Sequence, residues 1–183
     1  DIAFGLPGHH NLMNALMALA MAKTYGTPTE SIANALATFK GVQRRFSYQI
    51  KSENRVYIDD YAHHPEELRN SIATAKDLFK GKEIYGIFQP HLFSRTRDFA
   101  DGFARELDQL DYPILMEIYP ARELPIENVN SQMILDRMTN PNKQIMSFKE
   151  ILEFVNKNKP EVLMTLGAGD IDTIVPKIKI ILS

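Results

Sequence analysis

The stretch "YIDDYAHHPEEL", Tyr57 to Leu68, sets two aspartates, two tyrosines and two histidines between an apolar run and a proline. Val56, Tyr57 and Ile58 are β-branched or aromatic and read as a buried strand, and Pro65 suits the first position of a helix. The polar cluster therefore falls at the carboxyl end of a strand. In open α/β sheets that is where ligands bind.

Working outward, the chain changes character near residue 41. Before it, the pattern is helical: Met13, Leu16, Met17, Ala20 and Met21 recur at helical spacing after Gly8, with the methionines expected to pack as core. Thr27-Pro28-Thr29-Glu30 has the spacing of a capping box and announces a second helix, with Ile32, Leu36 and Phe39 on one face. After Gly41, strands alternate with helices. The expected order is a hairpin (46–50 with 56–58), a helix 65–79, a strand 84–88 and a helix carrying Phe99, Phe103, Leu107 and Leu110. There follow a strand 114–118, a helix 131–138, a short strand 144–146, a capped helix 147–156, a strand 161–166 and a helix 171–182. This predicts an α/β, Rossmann-like, mostly parallel sheet with helices on both faces, preceded by a short all-helical segment. The domain expectation is residues 1–40 and 41–183.

Composition excludes several functions. The net charge is −2, with acidic and basic residues mixed, so no basic field marks a nucleic-acid or membrane partner. No apolar run approaches the roughly 18–20 residues of a membrane span. Without cysteine there is neither a disulfide framework nor a thiolate metal site. A cytoplasmic protein is expected, and the opening "DIAFGLPGHH", without Met, suggests a piece of something longer.

Three expected strands end in polar loops: Asp60–His64, "QPHLFSRTR" (89–97) and "GAGD" (167–170). Arg95 and Arg97 have the paired N–H donors to hold a carboxylate or phosphate. Asp60 has the acceptors for a sugar diol, and Gly167 and Gly169 allow backbone to approach a ligand. Each also has a plain structural reading: a helix or turn cap for the aspartates, a solvated charge for the arginines, an ordinary turn for the glycines. The five histidines fall in three places, which leaves a His/Asp metal site as an alternative.

Taken together, "GHHNLMNAL", "GVQRRF", "DDYAHHP", "FQPHLFSRTR" and "GAGDI", in this order, resemble the C-terminal portion of the Mur ligase family. The resemblance implies ATP-dependent amide-bond formation on a peptidoglycan precursor through an acyl phosphate. Within the family, the likeness is greatest to members that join L-alanine to UDP-N-acetylmuramate. ATP, with Mg2+, UDP-N-acetylmuramate and L-alanine are thus the implied ligands, and the rest of the same polypeptide the implied partner.

Carried over residue by residue, the resemblance assigns His10, Asn11 and Asn14 to the end of a central ATPase domain, beside the nucleotide. Arg45 is assigned to the phosphates and Asp60 to the ribose or adenine. Tyr61, His63, His91 and Arg95 line the amino-acid pocket, with Arg97 in reserve. Many members place an arginine where this chain has Leu92, so the carboxylate must depend on Arg95. The family's phosphate loop, magnesium ligands and carbamylated lysine have no counterpart here. The alternatives are a murein-peptide recycling ligase of the same family, a non-catalytic nucleotide-binding module and a metallohydrolase.

Overall fold

Strand β2 (Val56–Asp60) is buried along its whole length, as an interior strand covered on both faces must be. Its neighbours are β1 (Ser47–Lys51), antiparallel to it, and β6 (Val162–Leu166), parallel to it. The six-stranded sheet runs β1-β2-β6-β3-β4-β5, with β3 (Ile84–Phe88), β4 (Tyr112–Leu115) and β5 (Gln144–Ile145) all parallel. The computed structural model describes residues 1–183 and divides them into two units, Asp1–Gln43 and Arg44–Ser183.

In the second unit two apolar layers sandwich the sheet. One packs α3 (Pro65–Leu78) and α4 (Phe93–Leu107) over Ile58, Phe88, Leu115 and Met164, with Phe103 at its centre. The other packs α6 (Phe148–Asn158) and α7 (Val175–Leu182) over Tyr57, Ile87, Ile114 and Leu163. The loop after β3 thus leads to a helix in one layer and the loop after β6 to a helix in the other. Neighbouring strands whose connections part in this way open a crevice at their carboxyl ends.

Several local expectations shift. β4 runs over Tyr112–Leu115 and not 114–118, because its pairing to β3 (Tyr85 opposite Tyr112, Phe88 opposite Leu115) sets both ends. The helix expected over 131–138 is only α5, Gln132–Leu135. The last helix is split into a 3-10 turn, Asp170–Thr173, and α7. α6 keeps its capping box, with Ser147 and Glu150 each accepting from the other's backbone N–H. Ser147→Ala should cost about 1 kcal/mol, read as a lowered denaturant midpoint at unchanged slope.

In the first unit α1 is His9–Thr24 and α2 is Thr29–Thr38. Two expectations fail there. Pro28 is extended (ψ 137°), so α2 starts a residue late and has no side-chain cap; Thr27 lies outside the helix. Met13, Met17 and Met21 are 46%, 62% and 69% exposed, not core. Within a unit of two helices, one face of each suffices for the mutual contact, and the methionine stripe is the other face of α1. No helix is long and apolar enough to cross a membrane.

Candidate active site

The two aspartates that end β2 point to opposite faces, as strand geometry requires. Asp59 is 2% exposed and accepts from Thr165 Oγ1 (2.8 Å) and Arg44 Nε (3.1 Å). Asp60 is 6% exposed and accepts from Phe46 N (3.2 Å), Ala62 N (3.0 Å) and Ser71 Oγ (2.8 Å). Burial pushes the Asp60 carboxyl above the usual carboxylate range, against the opposing pull of those donors. The expected free acceptor for a sugar diol is therefore an internal tie: a buried carboxylate needs its donors inside the protein, and Asp60 has them.

Sequence reasoning chose Arg45 and passed over Arg44. Arg44 takes a positive φ of 57° and turns inward, donating to Asp59 and to the Gly167 carbonyl (2.7 Å), with Asp172 at 3.6 Å. Its own carbonyl accepts from Tyr61 N at 2.7 Å, so one arginine joins the ends of β2 and β6. Arg45 is left half exposed, paired with Glu67 at 3.5 Å and 5.7 Å from the Tyr61 ring centroid. Nothing in "RRF" distinguishes the two.

The adjacent histidines part company. His64 is the N-cap of α3: its ring accepts from Glu66 N at 3.4 Å and packs edge-on against Phe99. His63 turns the other way, with Nδ1 2.9 Å from the Tyr61 carbonyl and 3.3 Å from Glu67, and its ring 6.1 Å from that of His91. Both Nδ1 neighbours are acceptors, so neutral His63 carries its proton there and leaves Nε2 bare.

Loop 89–92 adds the third wall. His91 stacks on Tyr119 (5.7 Å, 25°), and its Nδ1 lies 3.3 Å from Arg95 Nη1. Arginine only donates, so His91 Nδ1 is the acceptor and the ring is neutral with its proton on Nε2. Burial, then the charges of Arg95 and His63, hold the His91 pKa below its usual value. Arg95 thus has a histidine partner and forms no ion pair with any carboxylate. Arg97 differs: it is exposed and bound to Asp98 at 2.8 Å, a solvated pair outside the cluster, which corrects its inclusion. Tyr61, His63, His91 and Arg95 do come together, and Tyr119 joins them unforeseen.

The glycines serve packing. A Cβ on Gly169 would overlap Gln89 Oε1 and stand 2.6 Å from Tyr119 Cβ, and one on Gly167, whose φ is 140°, would stand 2.8 Å from the Gln89 carbonyl. The space expected for a ligand holds protein. Buried Gln89 uses both ends of its amide, donating to Asp170 (2.6 Å) and accepting from Ile171 N (2.9 Å). Gly169→Ala should displace Gln89 and Tyr119 and cost about 1–3 kcal/mol of stability, measured by chemical denaturation. An unchanged midpoint would return Gly169 to the ligand.

Of the residues in the other unit, His10, Asn11 and Asn14 lie in the first two turns of α1. Asn11 Nδ2 donates to the Pro7 carbonyl at 2.7 Å, while Asn14 is exposed. No group of three or more His, Asp or Glu side chains converges to hold a metal ion.

Residues 44–169 match the family described as Mur ligase, glutamate ligase domain. The chain belongs to the Mur ligase family. Among curated Mur ligases it is 58% identical, over 98% of its length, to the UDP-N-acetylmuramate-L-alanine ligase of Flavobacterium johnsoniae, and 46% identical to that of Porphyromonas gingivalis. It spans about 40% of the length of these relatives. The solved UDP-N-acetylmuramate-alanine ligase of Thermotoga maritima superposes with a TM-score of 0.77 at 31% identity, over 97% of this chain and 38% of that one. A murein peptide ligase from Psychrobacter arcticus shares the fold at a TM-score of 0.71 and 22% identity.

Proposed function

We propose that the chain is the C-terminal part of an ATP-dependent Mur ligase that joins L-alanine to UDP-N-acetylmuramate in peptidoglycan synthesis in the cytoplasm. The observation that carries this reading is Arg95, an arginine at the carboxyl end of β3 with no carboxylate partner, beside a neutral histidine. An amino acid presents the carboxylate that such an arginine lacks. The names of the relatives support L-alanine and UDP-N-acetylmuramate as the pair joined.

In this reading Arg95 binds and orients the amino-acid carboxylate, with Tyr61, His63 and His91 around it. His91, whose Nδ1 accepts from Arg95, offers an Nε2–H donor to the substrate, and His63, whose Nδ1 faces the Tyr61 carbonyl and Glu67, turns Nε2 toward the pocket. Arg45, half exposed, faces the phosphates of ATP, and His10, Asn11 and Asn14 serve the nucleotide from the end of the ATPase domain. ATP activates the muramate carboxyl as an acyl phosphate; the alanine amine then displaces phosphate. Magnesium finds no converging set of acidic ligands in these residues.

The test is phosphate release by the whole encoded protein. It should require UDP-N-acetylmuramate and L-alanine together. Turnover with a murein tripeptide in place of L-alanine would overturn the reading. The 183 residues alone, which carry no Gly-x-x-Gly-Lys-Thr phosphate loop, should release no phosphate from ATP above blank.

A further inference from the structure

The first turn of α4 carries Arg95, yet the helix supplies no cap of its own. Its N-cap is Leu92, at φ 73° and ψ 134°, a conformation strained for a residue with a Cβ and offering no side-chain acceptor to the free N–H groups. The missing acceptor comes from a distant loop. Glu123 Oε2 accepts from Ser94 N at 2.9 Å, and its Oε1 from Ser94 Oγ.

The same loop holds the preceding residues. Leu92 N donates to the Tyr119 carbonyl (2.9 Å), Tyr119 N donates to the Pro90 carbonyl (2.8 Å), and the Tyr119 ring lies on His91. Segment 90–95 is therefore fastened to segment 119–123 at successive points, of which Glu123 is the last and the one nearest Arg95. Ser94 occupies both Glu123 oxygens. Although Glu123 and Arg95 feel each other's charge, they do not pair, and the guanidinium remains available.

We propose that Glu123 is a positioning residue of the amino-acid pocket: by capping α4 through Ser94 it fixes the turn that presents His91 and Arg95 to the substrate carboxylate. This rests on the function proposed above for its ligand, though not for its geometry. Glu123 touches no reacting atom and acts only through Ser94 and the helix start.

The experiment has two arms on the whole encoded protein. In Glu123→Ala, amide hydrogen exchange should lose at least tenfold protection at residues 93–96 while β6 is unchanged. The KM for L-alanine should rise about tenfold, with the ATP and UDP-N-acetylmuramate constants within twofold, and Glu123→Gln, which keeps one acceptor oxygen, should recover part of the loss. Ser94→Ala combined with Glu123→Ala should be no worse than Glu123→Ala alone, since both remove the same link. A cap of merely structural importance would lower stability and leave the alanine constant in place; that result overturns the proposal, as does unchanged exchange at 93–96. Should the wild-type protein prefer another amino acid to L-alanine, the proposed function fails, while the same comparison made with the preferred amino acid still decides the role of Glu123.

Discussion

Arg95→Ala in the whole encoded protein is expected to lower kcat/KM for L-alanine by about 30- to 1,000-fold, corresponding to about 2–4 kcal/mol of lost charge-assisted hydrogen bonding. The size of the effect follows from isolation. Arg97 is spent on Asp98, Arg44 on Asp59 and Arg45 on Glu67, and Leu92 carries no charge, so each other arginine of this region already has a carboxylate partner. The constants for ATP should move little. A second reading of the same variant is the titration of His91: with a neighbouring positive charge removed, its pKa should rise toward the ordinary value of 6.5. An unchanged alanine constant would remove Arg95 from the pocket. Arg97→Ala serves as the comparison and should stay within twofold of wild type.

Asp60→Ala should destabilise the protein by about 3–5 kcal/mol and lower its melting temperature by about 6–20 °C. Removing the carboxylate orphans Phe46 N, Ala62 N and the Ser71 hydroxyl at once, and these donors belong to three different segments around the end of β2. The alternative, a surface aspartate reserved for ribose, predicts wild-type stability and a selective loss of ATP affinity. The acid-base behaviour offers an independent check. Because burial raises the folded pKa of Asp60, its contribution to stability is full below the unfolded pKa and is lost as pH rises through the folded one. Asp60→Asn, which does not titrate, should lack that slope.

How much of this was legible in the sequence depended on which force set each feature. The interior strands were plain, since Val56–Ile58, Ile84–Phe88 and Val162–Leu166 are apolar runs that only a doubly covered sheet explains. So was the convergence of three polar loops. Edges were less plain: Tyr112 and Pro113 enter β4 through pairing to β3, a contact between distant residues that no local pattern encodes. Within the site, residue type predicted chemistry but not direction. Arg44 and Arg45 are neighbours of identical kind, and their roles part only through the positive φ of Arg44, fixed by Asp59 and Gly167. Asp60 has the acceptors expected of a ligand contact, yet Ser71, eleven residues away on α3, takes one of them. The methionine stripe of α1 had core spacing and lies exposed, because periodicity shows that a helix has an apolar face and not what covers it.

The place of β6 governs how the molecule can be made. Of the six strands of this sheet it is the last in chain order, yet it fills the position between β2 and β3, and neither has its parallel partner on that side until residues 162–166 arrive. Until then a nascent chain exposes two unpaired apolar edges at the middle of the future sheet, where association with other chains is most damaging. Synthesis from the amino end therefore cannot build this sheet step by step. A premature stop anywhere before Val162 would remove the keystone together with the Gly167 carbonyl that anchors Arg44, leaving a product fit for proteolysis and not a shortened but folded domain.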